Sequence, residues 1–173
     1  MKEKQFSQSE IQFNDAVDKW LKIVETGINI ELNVYPTGVS MLPLIRGNRD
    51  KVTVCPLKRE VRRGDIVLFF RADGKKVMHR VWKIDGNVIT TYGDGCYYPD
   101  KPINVHNILG IATVLHRRKG AKDGLYREIP LNNAFRRKLG LLWLSLGPAR
   151  RFFYRVRGRM LRIKKHFRQK KNI

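Results

Sequence analysis

Val77-Met78-His79-Arg80-Val81-Trp82-Lys83-Ile84-Asp85-Gly86-Asn87-Val88-Ile89-Thr90-Thr91-Tyr92 is the stretch that decides the fold. Asp85-Gly86 is a pair typical of a tight hairpin turn, and the runs on either side, Val77 to Ile84 and Asn87 to Tyr92, read as its two strands. Upstream, Ile66-Val67-Leu68-Phe69-Phe70 and Asp50-Lys51-Val52-Thr53-Val54 read as further strands. Ile28-Asn29-Ile30-Glu31-Leu32-Asn33-Val34 alternates apolar with polar residues, the period-2 pattern of a half-buried strand. Downstream, Ile108 to Leu115 completes the set. Short strands in succession without interleaved helices predict a mainly β, antiparallel domain.

The two ends have helical character. Ser7-Gln8-Ser9-Glu10 has the capping-box spacing, with Phe6 and Ile11 placed to close a hydrophobic staple. Ile11, Val17, Leu21 and Val24 follow near helical period, Phe13 and Trp20 widen the stripe, and Gly27 is placed as the stop. A short amphipathic helix docked on the domain is expected. Beyond about Gly120 the chain turns basic. Leu139 to Ala149 is a mostly apolar run, and Phe152, Val156, Met160, Ile163 and Phe167 share one face of a basic amphipathic helix. The expected organisation is an N-terminal helix over 1–27, a β-rich domain over 28–120, and a linker with a basic helical tail over 121–173.

The chain has 173 residues, 36 Lys plus Arg against 15 Asp plus Glu, and a formal net charge of +21. With 42% hydrophobic residues it can bury a core, which excludes global disorder. Residues 131–173 hold 14 Lys and Arg and no acid. Such asymmetry marks a surface that meets phosphate, on lipid or on nucleic acid. No stretch approaches the roughly 18 apolar residues of a membrane span, and Met1-Lys2-Glu3-Lys4 does not open a secretory signal. Cys55 and Cys96 are too few for a disulfide scaffold. A cytoplasmic location is expected, with the tail at the inner face of a membrane.

Chemistry points first to Tyr35-Pro36-Thr37-Gly38-Val39-Ser40-Met41-Leu42-Pro43. A strand ends, a glycine permits close backbone approach, and a serine follows on what reads as a turn. A nucleophilic hydroxyl needs such a place, with backbone N–H groups nearby to hold an oxyanion. Gly47 and Asp50 come next, then Arg63-Gly64-Asp65-Ile66-Val67, Val77-Met78-His79-Arg80-Val81, and Thr91-Tyr92-Gly93-Asp94-Gly95 with Asp100 six residues after Asp94. This ordered set, over roughly residues 34–115, resembles the type I signal peptidases and the self-cleaving SOS-repressor peptidases. The similarity is closest to the endoplasmic-reticulum and archaeal signal peptidases, whose general base is a histidine before Arg-Val or Arg-Ile.

The resemblance implies a signal-peptidase-like β domain in which Ser40 is the nucleophile and His79 the general base. Asp94 and Asp100 would orient or support the histidine, and Gly38 and Met41 would lie at the oxyanion and substrate-binding turn. Imidazole titrates near working pH, so it can take the serine proton and return it to a leaving amine. A carboxylate at its other nitrogen fixes the tautomer. Arg80 and Asp65 are expected to be structural, Asp65 shaping the turn before its strand.

The sequence departs from these families in lacking a membrane span and in carrying Gly38 where many members have a second hydroxyl. Residues 1–33 are too short for a DNA-binding domain with a linker and hold no Ala-Gly cleavage pair, which favours processing of another polypeptide over self-cleavage. His79, His106, His116 and His166 show no paired metal-ligand spacing, and no metal or cofactor is expected. The expected partner is a peptide or protein substrate. The tail suits an anionic membrane surface first, a nucleic acid second, and a groove on another protein third. The competing class is a silent peptidase-fold binding module that uses the tail to hold membrane or nucleic acid.

Overall fold

The computed structural model describes residues 8–71, 73–119, 125–147, 149, 150 and 152. Its elements in chain order are α1 (Gln8–Glu25), β1 (Leu32–Val34), β2 (Lys51–Cys55), β3 (Ile66–Phe70), β4 (Lys76–Asp85), β5 (Val88–Tyr92), β6 (Ile103–Asn104), β7 (Ile108–Arg118), β8 (Tyr126–Pro130) and α2 (Ala134–Ser145). Every strand pair is antiparallel, and the strands form one curled sheet in the order β1-β2-β7-β3-β4-β5-β6. The mainly β, antiparallel architecture expected from the sequence is what the chain adopts.

β7 organises the sheet because it is long enough to serve three partners. β2 runs along one edge, while β3 takes the first half of the other edge and β8 the second half. β3 is an unbroken apolar run because both of its faces are covered. Ile66 and Leu68 join one core with Val17 and Trp20 of α1, and Val67 and Phe69 join a second with Val81, Ile89 and Ile111. The expected docking of α1 is observed. Val17 and Trp20 are buried, the Trp20 indole N–H donates to Ile30 O at 2.8 Å, and Lys76 Nζ bonds Asp18 at 2.7 Å. Gly27 ends the helix region with a positive φ of 84°, where a Cβ would be strained. The capping box and staple depend on Phe6 and Ser7, outside the described residues.

Three details differ from the sequence reading. β1 is only three residues long, because Pro56 follows Cys55 and has no N–H to continue the ladder past Leu32 and Val54. The β4–β5 loop is Gly86-Asn87, with Gly86 at φ 53°, one residue later than the Asp85-Gly86 pair suggested. The fold also continues past residue 120. β8, whose Arg127, Glu128 and Pro130 suit an edge strand, pairs with β7, and α2 packs against β4. Asn133 caps α2, its side-chain oxygen accepting from Arg136 N at 2.8 Å. Of the basic tail face, Phe152 is exposed, whereas Val156, Met160, Ile163 and Phe167 lie outside the described residues.

Candidate active site

His79 and Arg80 are neighbours on β4, so their side chains leave opposite faces of the sheet. That alternation assigns the two aspartates. His79 Nδ1 lies 2.6 Å from Asp100 Oδ2, and the Thr91 hydroxyl donates to the same oxygen at 2.7 Å. Asp100 is fixed in turn by its N–H, which donates to Thr91 O at 2.9 Å. On the other face, Arg80 makes a bidentate pair with Asp94, Nε to Oδ1 at 2.8 Å and Nη2 to Oδ2 at 2.7 Å, and also donates to Gly64 O. Of the two expected supports for the histidine, Asp100 is therefore at the ring, while the Asp94 carboxylate is turned to Arg80. Asp65 shapes a turn as expected, accepting from Arg62 N at 2.8 Å and pairing with Arg59.

Gly93-Asp94-Gly95 contributes through its glycines. Gly95 N donates to Ser40 O at 2.6 Å, and a Cβ on Gly95 would fall 2.6 Å from Val39 O. A Cβ on Gly93 would lie 2.7 Å from Ser40 O and 3.0 Å from His79 Nε2. Only side-chain-free residues let this loop close backbone-to-backbone on the serine turn. The turn is packed as tightly from behind, since a Cβ on Gly47 would fall 2.3 Å from Gly38 O. Ser40, His79, Asp100, Gly38 and Met41 consequently line one cleft of about 330 Å³, with Phe13 of α1 at its border.

His79 is 3% exposed, and its Nε2 has no hydrogen-bond partner among the described residues. Burial by itself lowers the imidazole pKa, but the Asp100 carboxylate and the neighbouring Cys96 sulfur outweigh it and raise the value to about 9. Burial likewise pushes Asp100 up, yet the bonds from His79 and Thr91 and the charge of Arg71 hold it below the usual carboxylate range. The raised pKa favours the protonated ring at neutral pH, and Asp100 orients it.

Sequence reasoning missed three contributors. Thr91 was legible as a hydroxyl three residues before Asp94, but its contact with Asp100 required the loop to fold back. Trp143 and Arg150 lie in the segment read as a tail, yet the Trp143 indole N–H donates to Asp94 O at 2.9 Å and Arg150 Nη2 to Cys96 O at 2.9 Å. Arg150 also stacks 4.4 Å from the centre of the Tyr92 ring. Gly140 lets α2 sit this low: a Cβ there would fall 2.2 Å from Arg80 Cζ. Compared with known proteins, the chain matches no family model, no curated sequence and no solved structure.

Proposed function

We propose that the protein is a serine endopeptidase of the signal-peptidase-like Ser-His type that cuts a leader or signal-like segment of another polypeptide. The observation that carries this reading is the His79–Asp100 pair, whose ring lines the same cleft as Ser40. His79 takes the Ser40 proton as the hydroxyl attacks the scissile carbonyl, and Asp100 stabilises the imidazolium that results. Backbone N–H groups of the Gly38–Met41 turn serve as oxyanion donors, and the acyl-enzyme is released by water activated at the same ring. An extended substrate suits a β-rich site, where a peptide strand adds to a sheet edge.

The test is labelling of Ser40 by a fluorophosphonate probe, followed by cleavage of candidate leader peptides. Ser40→Ala and His79→Ala should each lower cleavage by about 10³-fold or more. Cleavage unchanged in both variants refutes the reading and leaves the non-enzymatic binding module.

The basic segment supports a second proposal, attachment to an anionic membrane surface from the cytoplasmic side. No helix among the described residues is long and apolar enough to cross a membrane. Phe135, Leu139, Leu142 and Leu146 are exposed on or just past α2, the three leucines along an open groove shared with Pro43 and Leu44, beside Arg136 and Lys138. Large apolar side chains fenced by cations suit a headgroup interface better than a nucleic-acid backbone.

A further inference from the structure

We propose that Cys96 is a peroxide-sensitive modification site that shares the His79 imidazole with Ser40, so that oxidation of its thiol shuts the site. The proposal rests on the peptidase reading for its consequence, but not for its chemistry. Cys96 lines the same cleft as Ser40 and His79, and its Sγ stands 4.0 Å from Ser40 O. A Cβ on Gly93 would fall 2.6 Å from Cys96 Sγ, 2.7 Å from Ser40 O and 3.0 Å from His79 Nε2, so these three atoms close on one point with no room between them. Sulfur and ring nitrogen thus converge at the place where the serine turn arrives.

The backbone holds the thiol there. Cys96 N donates to Gly93 O at 2.9 Å, Gly95 N is bonded to Ser40 O, and Arg150, past the end of α2, donates to Cys96 O. Cys55 provides an internal comparison, because it is also half-buried but its sulfur is bonded to Glu31 and Thr113 with no imidazole beside it among the described residues, and burial raises its pKa, whereas the Cys96 thiol bonds the Ser40 carbonyl next to His79. A thiol beside an imidazole reacts faster than one beside a carboxylate, since the ring manages its proton.

In the oxidation, Sγ attacks one peroxide oxygen. The Sγ–O bond forms as the O–O bond breaks, the departing hydroxide takes the proton that the imidazolium holds at Nε2 and leaves as water, and the thiol proton replaces it on the ring. Sulfur is left as sulfenic acid, and a small thiol reverses the change. The added oxygen crowds the point beside Gly93 where Sγ, Ser40 O and Nε2 already converge, pushing the serine turn away and taking the hydrogen-bonding capacity of Nε2 from Ser40.

The test follows both cysteines in the full chain by peptide mass after limited exposure to hydrogen peroxide with a sulfenic-acid trap, and in parallel to iodoacetamide. Cys96 should be modified about ten-fold faster than Cys55, and His79→Gln should erase most of that advantage. Equal rates in the unaltered protein overturn the proposal, whether or not the His79 variant folds. Peroxide should also abolish fluorophosphonate labelling of Ser40, dithiothreitol should restore it, and in Cys96→Ser whatever labelling remains should be indifferent to peroxide. Labelling that survives full oxidation of Cys96 overturns the regulatory claim. Absence of labelling in the untreated protein refutes the peptidase reading instead, and the two thiol rates still decide the chemistry at Cys96.

Discussion

At the scale of single residues, the His79–Asp100 pair links the site to pH in two ways. With the ring pKa raised from 6.5 to about 9, the neutral imidazole needed as a base becomes abundant only as pH rises. The kcat/KM for peptide cleavage should therefore climb through neutral pH and level off above about 9, and Asp100→Asn should move that limb to lower pH. Stability has the opposite dependence. A raised histidine pKa stabilises the fold fully below 6.5, and the contribution fades as pH rises toward 9. The lowered Asp100 contributes above 3.8 and is lost as pH falls through its folded value. The pair thus stabilises most between these limits, and the decline in Tm from pH 6.5 to 9 should be smaller in His79→Gln. Arg80 and Asp94 make a separate prediction. Both side chains are 2% exposed, so Arg80→Leu leaves a buried carboxylate without its cation. A loss of about 3–5 kcal/mol in chemical denaturation is expected, and a loss below 1 kcal/mol would show that water reaches Asp94.

At the scale of elements, the site is made where loops close on a strand. The residue types were legible in the sequence: a serine on a turn, a histidine within a strand, a Gly-Asp-Gly and a later aspartate. Their pairing was not, because Asp94 and Asp100 sit on one loop and only the side-to-side alternation of β4 sends one to Arg80 and the other to His79. The glycines at 93 and 95 proved as consequential as the acid between them. Gly95→Ala should force the loop away from Val39 O and Ser40 O, cutting cleavage by about 10²-fold through misplacement of the reacting groups. Far-UV circular dichroism should stay that of the parent, because no strand pairing involves this residue. Full activity in that variant would mean that the loop contact does not position Ser40.

Across the whole molecule, α2 joins two surfaces. Its inner side reaches Arg80 and Asp94 O, and it exposes apolar residues within the segment that has 14 cations and no acid. Vesicles of phosphatidylcholine with phosphatidylglycerol should sediment the protein, while pure phosphatidylcholine vesicles should not. Leu139→Glu with Leu142→Glu, both exposed positions, should reduce that binding about ten-fold or more without lowering Tm. Unchanged sedimentation by the double variant would assign lipid binding to other parts of the chain, and preferential capture of RNA would favour the nucleic-acid arm.

The sequence by itself determined the strand-forming runs, the docked first helix and the residue types at the site, because hydrophobic period and turn chemistry are local properties written into neighbouring residues. Only the tertiary structure decided that Asp100 and not Asp94 reaches the imidazole, that Thr91 completes the pair, and that Trp143 and Arg150 hold the loop from positions far along the chain. Those contacts depend on which face of β4 each side chain leaves and on how closely two backbones approach at glycine. Neither is a property of any short window of sequence.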